Sequence, residues 1–115
     1  MPEPAVHRQF FADREYAFRL TPPLILELER KTATGIGALS RRAFSSDFRH
    51  ADLLEIVRLG LIGGGTDPEE AAALIAAYAA PAPIMSVYPL AVSILEVLMF
   101  GQAQAADLEL KEAAE

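Results

Sequence analysis

The chain has 115 residues, of which 52% are hydrophobic and 8% aromatic, and it carries a formal net charge of −6 and no cysteine. This length is typical of one folded domain, and the apolar content excludes a disordered chain. The lack of cysteine excludes a disulfide framework and thiolate metal sites, and it fits a reducing compartment.

The charge is unevenly distributed along the chain. Residues 1–58 carry nine Lys and Arg against eight Asp and Glu, whereas residues 59–115 carry one Lys and eight acids. Contacts with phosphate need clustered Arg and Lys, and no such basic stripe is present. We therefore expect no nucleic-acid binding. The N-terminus lacks a basic start followed by an apolar run, so we also expect no secretory signal.

The N-terminal part of the chain predicts a β-hairpin. Residues 1–5 contain two prolines, and we expect this end to be disordered. The predicted arms are Val6–Phe11 and Glu15–Leu20, joined by Ala12–Arg14, with the apolar side chains of the second arm alternating onto one face. A lone hairpin is marginally stable in water, so this face must pack on helices or on another strand. Its open edge is a possible route to a partner.

Start and stop signals predict about five helices after the hairpin. Thr21 before Pro22, and Asp67 before Pro68, are typical of a capping residue followed by proline at the first helical position. Glu70 adds capping-box spacing to the second of these. The predicted helices are residues 22–31, 36–44, 51–62 and 68–79, and a last helix that begins near Ser86 or Tyr88, has Pro89 in its first turn and ends at Gly101.

These elements predict an α+β fold that is mainly α: an N-terminal β-hairpin followed by about five helices in a small bundle. We assign the single domain to residues 6–101. Residues 102–115 form an acidic, alanine-rich tail that extends the last helix or frays.

The stretch from Asp52 to Gly65 organises the rest of the chain. Its apolar residues cover one broad arc of a helix, which must face a core. Gly60 lies within that arc. Glycine inside a helix lowers the stability of the helix, and this loss is easiest to accept where another backbone comes close. Leu59 and Ile62 lie on the polar side, which is unusual for a simple surface helix. A run of glycines, Gly63, Gly64 and Gly65, then ends the helix.

No residue pattern in the chain predicts catalysis. Ser45–Asp47, His50 and Asp52 include the residue types of a hydrolase triad, but all lie on one loop and the helix after it, where capping explains them. His7 and His50 lack the spacing of a zinc site. The glycines after residue 59 have no following Lys-Ser/Thr and no preceding strand, so they form no phosphate-binding loop. We expect no enzyme activity, no cofactor and no metal.

The last predicted helix is apolar on nearly all sides. The run from Ile84 to Phe100 has only 17 residues and contains both Glu96 and Pro89. A membrane span needs about 20 apolar residues with few charges. We therefore expect no membrane span, and interpret this helix as the buried centre of a bundle or as a helix with one face at a protein interface.

The chain resembles a small family of gene transfer agent and phage-like proteins classed as tail assembly chaperones and also described as tail tube proteins. The order of elements is similar: short strands, a helix opened by Thr, a glycine break, then the Arg-x-Gly-Leu helix and its glycines. The matching stretches are Tyr16–Thr21, Leu26–Thr32, Gly35–Leu39 and Asp52–Gly65.

This resemblance implies a non-enzymatic protein of the bacterial cytoplasm that binds the long tape measure protein and keeps its apolar helices from aggregating. It also implies help in bringing in tail tube subunits, and absence from the mature particle. Apolar residues on a polar helix face would suit such binding. The candidate partner-binding residues are Arg58, Leu59, Ile62, Gly63, Gly64 and Gly65.

Two other functions remain open. A structural tail tube subunit should be mostly β, with a sheet lining the lumen, whereas this chain predicts one hairpin. A small regulatory binding module would be favoured if the first half bound DNA. A homo-oligomer is possible under each of these functions.

Overall fold

Alternation in the first twenty residues and helical periodicity in the rest produce a hairpin followed by five α-helices. The computed structural model describes residues 5–101; our expectations for residues 1–4 and for the tail 102–115 lie outside this range. The elements are β1 (His7–Phe11), β2 (Arg14–Phe18), α1 (Pro22–Thr32), α2 (Ile36–Phe44), α3 (His50–Gly63), α4 (Pro68–Leu74), a π-helical turn (Ile75–Ala79) and α5 (Ile84–Phe100). The predicted fold, α+β and mainly α, is confirmed.

The hairpin is antiparallel and slightly shorter than predicted. Its register places Gln9 opposite Tyr16, and the loop has two residues instead of three because Arg14 already pairs with Phe11. Tyr16 and Phe18 are buried, as the period-two pattern requires. The sheet therefore packs one face on the helices.

Helix α1 begins where predicted, at Pro22, and ends at Thr32, one residue beyond the predicted range. Thr21 occupies the N-cap position, yet its side chain makes no capping hydrogen bond. The helix ends at Thr32 because Ala33 takes the left-handed conformation, with φ 54°, two residues before Gly35. Helix α2 has the predicted bounds, and Phe44, its last residue, is 36% exposed.

Helix α3 lies at the centre and contacts β2, α1, α4 and α5. Leu53, Ile56, Val57 and Leu61 are fully buried. Burying each such side chain contributes about 1.5–3 kcal/mol relative to leaving it in water. This central helix therefore accounts for much of the core.

Helix α4 begins at the strongest capping signal of the sequence. The Asp67 carboxylate accepts hydrogen bonds from the backbone N–H groups of Glu69 and Glu70, at 3.0 and 3.4 Å. The Glu70 side chain contacts that of Arg14, the first residue of β2, at 3.2 Å, so the start of α4 lies beside the hairpin. The end of the predicted helix, Ile75–Ala79, is π-helical in the structure.

Helix α5 begins at Ile84, earlier than predicted, so Pro89 lies inside the helix and not in its first turn. Pro83 occupies the N-cap position and the Ser86 hydroxyl donates to its carbonyl at 2.7 Å, which sets the earlier start. Within residues 5–101, no helix is long and apolar enough to cross a membrane.

Candidate partner-binding surface

The glycines at the end of α3 lie against the exit of β2. A Cβ atom added to Gly63 would be 1.7 Å from the carbonyl oxygen of Arg19, and one added to Gly64 would be 1.8 Å from that of Ala17. No side chain fits at either distance. Gly65 has open space around it, but its φ of +114° is a conformation that favours glycine. These glycines thus allow two backbone segments to meet.

Hydrogen bonds hold this junction together. The backbone N–H of Arg19 donates to the carbonyl of Gly60 at 3.0 Å. The Arg19 Nε donates to the carbonyl of Gly63 at 3.1 Å. The expected approach of another backbone to Gly60 is found at its carbonyl only, since a Cβ atom there would meet the side chains of Ile94, at 3.3 Å, and Phe18, at 3.5 Å. The carbonyls that end α3 are satisfied within the fold, which makes the junction a structural feature of the protein.

The side chains predicted to contact a partner from α3 are mostly turned inward. Leu59 is only 2% exposed, so its predicted place on a polar, solvent-facing side is wrong. The buried arc is wider than one helix face because α3 has neighbours on several sides. Ile62 is half-buried against the core. Arg58 pairs with Glu55 at 2.7 Å, and both side chains are about three-quarters covered.

A partner-binding role for Arg58, Leu59, Ile62 and Gly63–Gly65 stays a prediction. Their geometry provides little surface to a partner, and an aspartate at position 59 would place an unpaired charge in the core. Replacing both Leu59 and Ile62 by Asp would therefore disturb the fold before it could test binding.

Exposed apolar side chains lie at both ends of α5, with Ile84 and Met85 at its start and Met99 and Phe100 at its end. Met99 is 42% and Phe100 48% exposed. The Phe100 ring stacks on the ring of Phe44 from α2, with centroids 6.1 Å apart and planes inclined by 25°. Exposed large apolar side chains that cluster in this way mark interaction sites more often than isolated ones do.

An apolar groove borders the same end of the helix. It lies between the β2–α1 connection and the second half of α5, and has a volume of about 200 Å³. Its lining residues are Ala5, Phe18, Arg19, Leu20, Thr21, Pro22, Ile94, Val97 and Leu98. We name this groove together with Phe44, Met99 and Phe100 the α5 end surface. Arg19 and Thr21 give the groove a polar side, while the other lining residues are apolar.

The loop that carried the triad-like residues holds local contacts. Asp47 pairs with Arg42 at 3.5 Å, and Asp52 pairs with Arg49 at 3.2 Å. The N-cap position of α3 is Arg49 and no side chain caps it, so the expected Ser or Asp cap is wrong here. In the part of the chain that the structure describes, no group of His, Asp and Glu could hold a metal ion.

The sequence signalled the α5 end surface through the apolar excess of its last helix, but it did not indicate which side chains stay exposed. Phe44 belongs to α2 and not to α5, and one wall of the groove is formed by the β2–α1 connection. Only the packing of α5 against these elements brings the surface together.

Comparison with known proteins gives one result. A family model described as "Phage tail tube protein, GTA-gp10" matches residues 5–101, which include the hairpin and all five helices. No curated protein and no solved structure shows a significant match to the chain. The match supports the gene transfer agent and phage-tail part of the resemblance, and not the chaperone designation.

Proposed function

Since the chain belongs to the family described as phage tail tube protein, GTA-gp10, we propose that it acts without catalysis, by binding other tail proteins while the tail is assembled. Family membership supports a role connected with the tail of a phage or gene transfer agent. The finer role depends on which protein is bound and on whether the chain stays in the particle.

The α5 end surface supports an assembly factor. Its groove of about 200 Å³ has room for a few side chains of a partner, and Met99 and Phe100 add exposed apolar area at the same end of α5. An apolar helix laid into such a groove places side chains at i, i+3 and i+4 spacing along it. The proposed occupant is an apolar helix of the tape measure protein, the partner that the resemblance implies.

A tail tube subunit is the second candidate, and the description of the matched family favours it over the assembly factor. Among residues 5–101, however, the sheet has two strands only. A tube wall lined by sheet would need hairpins of neighbouring subunits to join. Because the described part of the chain is mainly helical, we retain the assembly factor as a candidate alongside the tube subunit.

Co-expression with the tape measure protein of the same phage or gene transfer agent tests the two roles. For the assembly factor, we expect that protein to stay soluble and co-elute with the tagged chain. The substitutions Met99→Asp and Phe100→Asp should abolish co-elution, because they place charges in the apolar contact. Leu26→Asp is the matched control, since Leu26 is 67% exposed on α1, and it should leave co-elution unchanged.

Other outcomes have distinct meanings. Rings or filaments of the chain alone, with an insoluble partner, would establish the tube subunit. Co-elution that survives both charged substitutions would exclude the α5 end surface as the binding site. Circular dichroism of each variant shows that the fold persists.

A further inference from the structure

The two outer edges of the hairpin have different surroundings. Along β2, the carbonyl of Ala17 lies against Gly64, and just beyond the strand the N–H of Arg19 donates to Gly60. The end of α3 therefore covers that edge. Along β1, the residues with outward backbone groups are Arg8 and Phe10, as the register shows.

The register determines which groups point outward. With a two-residue loop, Phe11 and Arg14 form a hydrogen-bonded pair, and such pairs alternate with non-bonded ones along an antiparallel ladder. Arg8 and Phe10 therefore belong to non-bonded pairs, with N–H and C=O directed away from β2. Neither forms a backbone hydrogen bond outside the hairpin within residues 5–101.

Among residues 5–101, the β1 edge carries one charged side chain, Arg8, and no proline or bulge. Natural edges are blocked by Pro, Lys, bulges or a covering element. The strand reads His-Arg-Gln-Phe-Phe, is regular, and leaves Phe10 68% exposed on the outer face. Such an edge is a template for another strand.

We propose that the β1 edges of two copies of this chain pair antiparallel about a two-fold axis at Gln9, joining the hairpins into one sheet. In this register Arg8 forms the hydrogen-bonded pair with Phe10 of the second copy, and the reverse pair follows by symmetry. A register centred on Arg8 would place two like charges opposite each other, which is destabilising.

Charge complementarity favours the same register. Phe10 lies beside Glu15 within the hairpin, so Glu15, Phe10 and Arg8 of the second copy form one row across the sheet. Arg8 and Glu15 make no ion pair in the part of the chain described. With strands about 4.8 Å apart, the guanidinium can lie over the Phe10 ring and reach the Glu15 carboxylate.

Cysteine cross-linking tests the axis directly, because the chain has no cysteine of its own. Gln9→Cys brings the two Cα atoms to about 4.5 Å, within the range of a disulfide. We expect a disulfide-linked dimer from Gln9→Cys under mild oxidation. Glu69→Cys, exposed on α4, is the matched control and should remain monomeric on a non-reducing gel.

Sedimentation of the full chain tests the register. Arg8→Glu and Glu15→Arg should each raise the dimer dissociation constant about tenfold, a cost of about 1.4 kcal/mol, and the double variant should restore it. Phe10→Pro removes an outward N–H without breaking a hairpin hydrogen bond, and should give a monomer with an unchanged circular dichroism spectrum.

A chain that stays monomeric at all concentrations would overturn the proposal. So would a dimer that survives Phe10→Pro or fails to form the Gln9→Cys disulfide. This inference rests on the strand geometry and not on the proposed function, and Met99→Asp should leave the dimer intact. Loss of tail-protein binding alone would therefore count against the α5 end surface only.

Discussion

At Gly63 and Gly64 two backbone segments approach too closely for any side chain. We predict that Gly63→Ala or Gly64→Ala lowers the free energy of unfolding by about 3 kcal/mol, because a methyl group would overlap a rigid carbonyl of the β2 exit. Urea denaturation monitored by circular dichroism measures the change.

The matched control for these variants is Gly37→Ala. Gly37 is also helical, but nothing lies within 4 Å of its missing Cβ. This substitution should raise stability by about 0.5–1 kcal/mol through helix propensity alone. Equal effects at the three positions would show that close approach does not decide the cost.

The pKa of Tyr16 is raised above its ordinary value. The main cause is the hydrogen bond that its hydroxyl donates to Asp13 at 2.7 Å, with burial second, while Arg14 over the ring acts in the opposite direction. The neutral phenol therefore stabilises the fold at every pH below the unfolded value of about 10, and this stabilisation is lost as the pH rises through the folded pKa.

We predict that Tyr16 ionises at a higher pH than an ordinary tyrosine when phenolate absorbance is followed as the pH rises. Comparison with the Tyr16→Phe variant identifies the part of the absorbance that comes from Tyr16. Asp13→Asn should shift that ionisation to lower pH, since the hydrogen bond to a charged carboxylate is lost. An unshifted titration in Asp13→Asn would assign the raised pKa to burial instead.

At the scale of elements, Pro89 is the main irregularity. It lies inside α5, where it has no N–H to donate and the carbonyl of Met85 loses its helical partner. We predict that Pro89→Ala raises the free energy of unfolding by about 2 kcal/mol, after allowing for the greater entropy of the unfolded chain. Chemical denaturation with urea measures it.

Pro22→Ala is the control for that experiment. Pro22 is the first residue of α1, where a backbone N–H would have no helical partner. The substitution should lower stability by about 0.4–1 kcal/mol, because proline restricts the unfolded chain at no native cost. A stabilising effect at both positions would contradict the explanation from helix position.

At the scale of the whole molecule, the α5 end surface should dominate binding of an apolar dye. We predict that Met99→Gln and Phe100→Gln lower dye fluorescence, because they remove clustered apolar area. The free energy of unfolding should fall by no more than about 1.5 kcal/mol, the value of the Phe44–Phe100 stack.

Leu26→Gln is the matched variant for the dye measurement. Leu26 is the more exposed side chain at 67%, but it lies on α1 and lines neither the groove nor the stack. Its loss should change fluorescence little. A larger change from Leu26→Gln than from Phe100→Gln would move the main apolar surface away from α5.

The sequence by itself determined the order and type of the elements, because these depend on local patterns. Alternation at Tyr16 and Phe18 predicted the hairpin, and Asp67 before Pro68 predicted the start of α4. The sequence predicted helix boundaries less well: Ala33 took a left-handed conformation that glycine usually takes, and α5 began at Ile84 and not near Ser86 or Tyr88.

Only the tertiary structure decided which residues face the solvent. Leu59 is buried because α3 is surrounded, and a helical period alone does not count the neighbours of a helix. The glycines after it allow the contact with β2, and the α5 end surface combines residues from four parts of the chain. Periodicity is a property of one segment, whereas burial and surface depend on how segments pack against each other.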